Sequence, residues 1–414
     1  MKPVTVALVG AGLRGTGYTE YALKHPDELK VVAVAEPNGQ RRDKFRERHS
    51  LPDDMVFDSW DALFARPLLA DAVIICTQDK QHYEPTMKAL EAGYHVLLEK
   101  PMSPDAQECI RMGELASKLG RVFSICHVLR YTAFFQTLKR LLDGGAIGRL
   151  MSIQHNENVG YWHQAHSFVR GNWRSSETSS PMILAKSCHD MDILLWLAGS
   201  DCTHISSFGS LSHFRKENAP PGAPQRCLDG CPAADRCPYY APHMYLTDDT
   251  GWPTSAISDD LSYEGRLKAL QEGPYGRCVY HCDNDVVDHQ VVSMEFANEV
   301  TAVFTMSAFT HDCSRTLKLT GTEGEIRAAM EKNEIELTRF DTGAKQTISL
   351  QRPGGHVGHG GGDFGLIRDF VKLVRASCAE QGLTSARISV QSHLMAFAAE
   401  LSRLEKRVIR MEDF

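Results

Sequence analysis

No stretch of this sequence approaches the roughly 18 uninterrupted apolar residues of a membrane-spanning helix, and no long run of lysine or arginine occurs. The first absence excludes an ordinary helical membrane protein. The second, with a formal net charge of −7, removes the basic footprint that nucleic acid or an anionic membrane surface would require. Internal repeats are also missing. The N-terminal stretch MKPVTVALVGAG enters a glycine-rich turn without a cleavage-site pattern, so a cytoplasmic protein is expected. In that compartment the twelve cysteines are expected as thiols or metal ligands rather than as a disulfide framework. What is present is a globular composition. Of 414 residues, 43% are hydrophobic and 23% charged, enough to bury a sizeable core in two domains. The expected partner is a small molecule.

The first third alternates short apolar runs (VTVALVG, LKVVAVAE, DAVIICT, YHVLLEKP, RVFSIC) with segments of helix length. Such continuous runs are buried on both faces, which predicts a doubly wound parallel sheet over residues 1–127. After Cys126 the rhythm changes. A helix-like TAFFQTLKRLLDGGAIG leads into a second α/β domain, 128–414, whose runs HQVVSMEFA, VTAVFTMSAF, TLKLTGTEGEIRA and EIELTRFD follow one another across short turns. That pattern predicts an antiparallel sheet. Residues 214–288, rich in Pro, Gly, Cys and Tyr, read as a long functional or metal-pinned insertion. Two amphipathic helices close the chain.

VALVGAGLRGTGY places Gly10, Gly12 and Gly15 in a G-x-G-x-x-G where the first strand turns into a helix. Glycines there permit a tight turn and close approach of backbone to a pyrophosphate, and the helix N-terminus attracts its charge. The second strand ends in Glu36, about twenty residues on, placed for the adenosine ribose hydroxyls. A 2′-phosphate would be repelled by it, so NAD is expected over NADP, with Arg41 and Arg42 as the features pointing the other way. Leu13 and Arg14 inside the motif, Thr77 and His82 after the strand DAVIICT, and Glu99 and Lys100 are assigned to the cofactor side.

HVLLEKP sets Glu99, Lys100 and Pro101 at the carboxyl end of a sheet strand, the edge where open α/β sheets bind ligands. Here the chain resembles the Gfo/Idh/MocA family, typified by glucose-fructose oxidoreductase and inositol dehydrogenase. The resemblance covers nearly the whole chain and implies an N-terminal Rossmann domain followed by an α/β domain with a large, open, mainly antiparallel sheet. It further implies a dimer or tetramer packed through that sheet. Lys100 then takes the role of the family's motif lysine, which binds substrate and tunes proton transfer. The family's Asp-x-Gly-x-His-x-x-Asp frame is matched by AKSCHDMD: His189 and Asp192 fit, but Ala185 occupies the aspartate position and Lys186 follows it. His189 is the expected general acid/base. Lys186 is expected as a second cation for substrate or as a base, the alternative being a helix-surface residue. Asp192 is assigned to the substrate side with it.

YWHQAHSFVRGNWR, between the strand LMSIQHNENVGY and the His189 helix, falls where the family lines the pocket opposite the nicotinamide. Tyr161, His163, His166, Arg170, Trp173 and Arg174 become substrate-wall candidates. The two arginines suggest an acidic group on the substrate, such as a sugar carboxylate or sulfonate; the alternative is an internal salt bridge to Glu157 or Glu177. GGHVGHGGGDFG, with His356, His359 and Asp363, reads either as a mobile cover over the site or as a surface turn.

RCLDGCPAADRCPYY and GRCVYHCDND bring Cys227, Cys231, Cys237, Cys278 and Cys282 into the insertion. The first four are candidates for a closed tetrahedral zinc site, with free thiols, disulfides or an iron–sulfur cluster as alternatives. Cys76, Cys109, Cys126, Cys188, Cys202, Cys313 and Cys378 are expected in the core. The function expected is NAD-dependent hydride transfer at a ring carbinol of a sugar or sugar derivative. Alternatives are an NAD-dependent glycosidase using transient oxidation, for example a sulfoquinovosidase, and a non-catalytic NAD or sugar sensor.

Overall fold

The computed structural model describes residues 2–351, 358–378 and 382–414. Six strands form a wholly parallel sheet: β1 (Val4–Val9), β2 (Leu29–Ala35), β3 (Val56–Phe57), β4 (Ala72–Ile75), β5 (His95–Leu98) and β6 (Phe123–Ile125), in the order β3-β2-β1-β4-β5-β6. Successive side chains of β1 serve opposite layers. Val4, Val6 and Leu8 pack with Tyr18 and Tyr21 of the helix Leu13–Lys24, whereas Ala7 and Val9 face Leu63, Ala89 and Leu90. Burial on both faces is why these strands read as continuous apolar runs. The strand order reverses between β1 and β4, and the crevice at their carboxyl ends is the switch point where such sheets take ligands.

The second sheet has nine strands in the order β14-β13-β12-β11-β7-β10-β9-β8-β15. They are β7 (Leu150–Asn158), β8 (Cys202–Ser210), β9 (His289–Phe296), β10 (Thr301–Ser307), β11 (Ser314–Gly321), β12 (Gly324–Ala329), β13 (Glu334–Arg339), β14 (Lys345–Ser349) and β15 (Ile409–Arg410). All neighbours are antiparallel except β7 and β10, which are parallel. Tight turns do join β9 to β10 and carry the chain from β11 to β14, but β10 and β11 are not neighbours. β7, first in the chain, lies between them, and residues 308–313 cross its end, where Thr310 accepts the Tyr161 N–H and its hydroxyl accepts the Gly160 N–H.

One face of this sheet carries Ile153, Val292, Met294 and Phe304 against the helices Ala133–Asp143, Cys188–Ala198 and Ala386–Glu405. β9 alternates strictly between buried and exposed residues, so the other face is open. The insertion is more ordered than its composition implies: it contains the helices Ala241–Tyr245 and Tyr263–Glu272, one small apolar cluster of its own and a second shared with Ala165, Val169 and Ala308.

The closing helices cross the expected division of the chain. Leu366, Ile367, Phe370 and Val371 of the helix Gly362–Ala376 join Val4, Val6 and Leu8 against the parallel sheet. The helix Ala386–Glu405 packs Val390 and Leu394 on the first layer and Met395 and Ala399 on the second. Among the described residues no helix is long and apolar enough to cross a membrane.

Candidate active site

Gly10 has φ +92°, and a Cβ there would sit 2.6 Å from the Cys76 carbonyl oxygen; one on Gly15 would sit 2.2 Å from the Gly10 oxygen. Both glycines are therefore demanded by the protein's own packing. Gly12 differs: a Cβ there meets nothing within 4 Å, so the turn leaves an open cradle beside the helix Leu13–Lys24. That helix has no side-chain cap, unlike the helices capped by Asn38, Asp105 and Thr132, which leaves its first N–H groups for a phosphate. Glu36 sits next to the cradle, its carboxylate accepting the Ala11 N–H at 2.7 Å and the Asn38 N–H at 2.9 Å. The arginines that could have favoured a 2′-phosphate are engaged elsewhere: Arg42 donates to the Glu36 carbonyl and Arg41 stands 3.7 Å from Asp259. These residues fit a dinucleotide, with Gly12 and the open helix end for its phosphates and Glu36 for its ribose.

Several residues assigned to the cofactor side also make contacts within the crevice. Arg14 turns from the turn to bond Glu99, Tyr18 and Asp363, the last at 3.0 and 3.1 Å. His82 is buried between the carbonyls of Pro101 and Thr77, 2.7 and 3.1 Å from its ring nitrogens. The Thr77 hydroxyl closes its own turn on the Gln81 carbonyl, and Leu13 is 60% exposed. Burial opposes the Glu99 charge, but Arg14, Lys100 and the Tyr18 hydroxyl outweigh it and hold the carboxyl below its ordinary range. Asp363 is thus tied to Arg14. His356 and the side chain of His359 lie outside the described residues.

Lys100 reaches from the end of β5 to the other domain, donating from Nζ to the Ala185 carbonyl at 2.8 Å. Beyond it lies a buried polar network that the sequence reading missed. Glu157 on β7 stands directly opposite Arg315 on β11, and its two oxygens meet Lys186 Nζ at 3.0 Å and Arg315 Nη2 at 2.6 Å. Arg315 Nε also bonds Asp190, which holds His155 Nε2 at 2.7 Å. Burial opposes the Asp190 charge, yet Arg315 and His155 outweigh it and hold the carboxyl well down. Lys186 is therefore paired with a buried carboxylate of the protein. Strand alternation supplied the available signal: residues 153, 155 and 157 share the inward face of β7.

His189, at the start of the helix Cys188–Ala198, is 5% exposed and stands edge-on to His127, ring centroids 5.8 Å apart. His127 is fully buried, with no hydrogen-bond partner for either ring nitrogen among the described residues. Burial, then the charges of Arg130 and Lys100, hold it neutral. Asp192 faces inward, bonded to Arg130 at 2.7 and 2.8 Å with both side chains at most 2% exposed. It anchors the helix and leaves the substrate side.

The wall segment divides. His163 is near Lys186 and Lys100; burial, then the Lys186 charge, keep its imidazole neutral, and Trp252 of the insertion packs edge-on to it at 4.9 Å. Tyr161, partly exposed, lies beside Tyr239. The others look away. His166 bonds the Tyr245 hydroxyl and stacks on Tyr275. Trp173 donates to Asp79, a buried hub that also takes the hydroxyls of Ser179 and Ser180 and docks this segment on the first domain. Arg174 pairs with Asp283 at 2.9 Å, not with Glu157 or Glu177. Arg170 is fully buried against main-chain carbonyls. The argument for an acidic substrate rested on these two arginines and loses its support.

No disulfide joins any of the twelve cysteines. Cys109, Cys126, Cys188 and Cys202 are buried as expected, whereas Cys76, Cys313 and Cys378 are partly exposed.

Residues 4–127 match the model of an oxidoreductase family described as an NAD-binding Rossmann fold, and residues 135–327 match the Gfo/Idh/MocA C-terminal domain. An inositol 2-dehydrogenase of Corynebacterium glutamicum is 28% identical over 48% of this chain and 55% of its own length. A 2,7-anhydro-N-acetylneuraminate hydratase of Mediterraneibacter gnavus is 30% identical over 50% and 53%, so the chain spans about half the length of these curated relatives. In fold it is similar to levoglucosan dehydrogenase in complex with NADH and L-sorbose, with a TM-score of 0.74 at 19% identity over 99% of both chains. The cradle, the Glu99-Lys100-Pro101 strand end and the two matched domains agree: the chain belongs to the Gfo/Idh/MocA family of oxidoreductases.

Proposed function

We propose that the protein is an NAD-dependent dehydrogenase of a sugar or sugar-derived alcohol, acting at a ring carbon that bears a hydroxyl. The observation that carries this reading is that Lys100, from the end of β5, reaches the Ala185 carbonyl just ahead of the His189 helix, with His163 close enough to feel the charges of Lys186 and Lys100. Bound NAD supplies the hydride acceptor; the chain manages the proton and the geometry. Lys100 Nζ, which has no carboxylate partner among the described residues, holds the reacting hydroxyl oxygen. A histidine takes its proton as the carbinol becomes a carbonyl, His189 being assigned that role and His163 the neighbouring wall. Lys186, held by Glu157, binds substrate oxygen as a fixed cation. Glu36 favours NAD over NADP. The inositol dehydrogenase and levoglucosan dehydrogenase among the similar proteins support a polyhydroxylated substrate.

The test is incubation with NAD and a panel of sugars, inositols and aryl glycosides, following NADH absorbance and released aglycone together. Net NADH from at least one polyol is expected. Aglycone release without NADH would replace this reading by redox-neutral glycoside cleavage, a chemistry to which the hydratase relative lends some weight. NAD binding with no turnover of any compound would point to a sensor.

A further inference from the structure

We propose that Cys227, Cys231, Cys237 and Cys278 bind one structural Zn²⁺. All four line a single small cavity with room for about one water-sized sphere, 10 Å³. Their approach is built by the backbone. Arg226 and Arg277 form an isolated antiparallel bridge, in which the Cys227 N–H donates to Gly276 and the Cys278 N–H to Gln225, each at 2.9 Å. Successive turns, Ala234 N–H to Cys231 and Cys237 N–H to Ala233, fold the other two back toward them. Cys282 does not line the cavity; its thiol points to the Cys278 carbonyl. No group of three or more His, Cys, Asp or Glu among the described residues has the spacing of a filled metal site, so binding requires the four thiols to turn inward.

A second observation points to an anion in this place. Arg170 lines the same cavity and is fully buried. Its guanidinium donates to the carbonyls of Arg277 and Tyr239, at 2.7 and 2.6 Å, and approaches Met244 Sδ at 3.5 Å and Cys227 Sγ at 3.6 Å. Among the described residues no carboxylate pairs with it. A guanidinium buried without a counter-charge is strongly unfavourable. Zn²⁺ held by four thiolates is a dianion, because each thiol gives up its proton on binding, and it supplies the missing negative charge beside Arg170. Four protein ligands leave no open position, so the ion is structural. It fastens the start of the insertion to its end, and through Arg170 it fastens both to the π-helical segment Gln164–Arg170 that follows His163.

Metal analysis of the full chain purified without chelator should find about one zinc per chain. Replacement by Co²⁺ should yield the intense visible bands of a tetrahedral all-thiolate site. Cys278→Ser should lose the metal and Cys282→Ser retain it. Because Cys278→Ser could fail to fold, the Co²⁺ spectrum of the unmodified chain decides independently. A metal-free folded protein, iron with inorganic sulfide, or disulfides among these four residues would overturn the proposal, and metal loss in Cys282→Ser alone would overturn the choice of fourth ligand.

Discussion

At the scale of single residues, charge balance separates the groups available to a substrate from those occupied by the protein. Lys100 spends one donor on a carbonyl and keeps two. Arg174, Arg170 and Asp192 are taken up by internal partners, whereas Lys186, held by Glu157, is partly exposed. Lys100→Ala and His189→Ala should therefore each lower turnover at least about a hundredfold, the low end for general acid/base groups. Neither should displace NAD, because Glu36 and the glycine turn are the groups proposed to hold its ribose and phosphates. Calorimetric titration with NAD and NADP beside steady-state kinetics checks this. Near-normal turnover in either variant removes that residue from the chemistry, and tighter NADP binding by the unmodified chain removes Glu36 as the selector.

Among the elements, the strands of the parallel sheet were legible because burial on both faces leaves an unmistakable apolar run. The second sheet was legible as hairpins and not as an order: which strand inserts between β10 and β11 is decided by long-range pairing. Its open face makes a prediction of its own. Phe208 and Val291 are cross-strand neighbours there, 63% and 39% exposed, an apolar pair on a broad flat surface that would be better buried. We expect a homodimer or homotetramer packed through this face. Light scattering of the unmodified chain should show it, and Phe208→Glu with Val291→Lys should shift the mass toward the monomer. A monomer at micromolar concentration before any change refutes the assignment.

For the whole molecule, the buried histidines set a pH dependence. Burial lowers His127 and His163 well below 6.5, His166 to about 4 and His393 to about 3. Above pH ~6.5 folded and unfolded chains both carry these rings neutral. Below it the unfolded chain takes up protons that the folded chain refuses, so stability falls as pH drops, and continues to fall until the folded values are passed. The lowered carboxyls of Glu99 and Asp190 act in the same direction at lower pH. The melting temperature should decline steadily from pH 7 to 5. A flat profile over that range would mean that these imidazoles accept protons in the folded state without cost.

The sequence by itself determined the parallel nucleotide-binding layer, the glycine turn with Glu36, the Lys100 strand end and the His189 helix, because each rests on local spacing: a strand, a turn and a helix start within a few residues of one another. It determined only that arginines, histidines and acids lie near that site. Which of them face a ligand was decided by tertiary structure. Arg170 and Arg174 look alike in sequence, yet one is sealed against main-chain carbonyls and the other is clamped by Asp283, a hundred-odd residues away. Glu157 was visible only as a possible partner for them, and it instead pairs across two strands with Arg315 and back to Lys186. Buried charge must find its counter-charge through space, and spacing along the chain carries no record of that search.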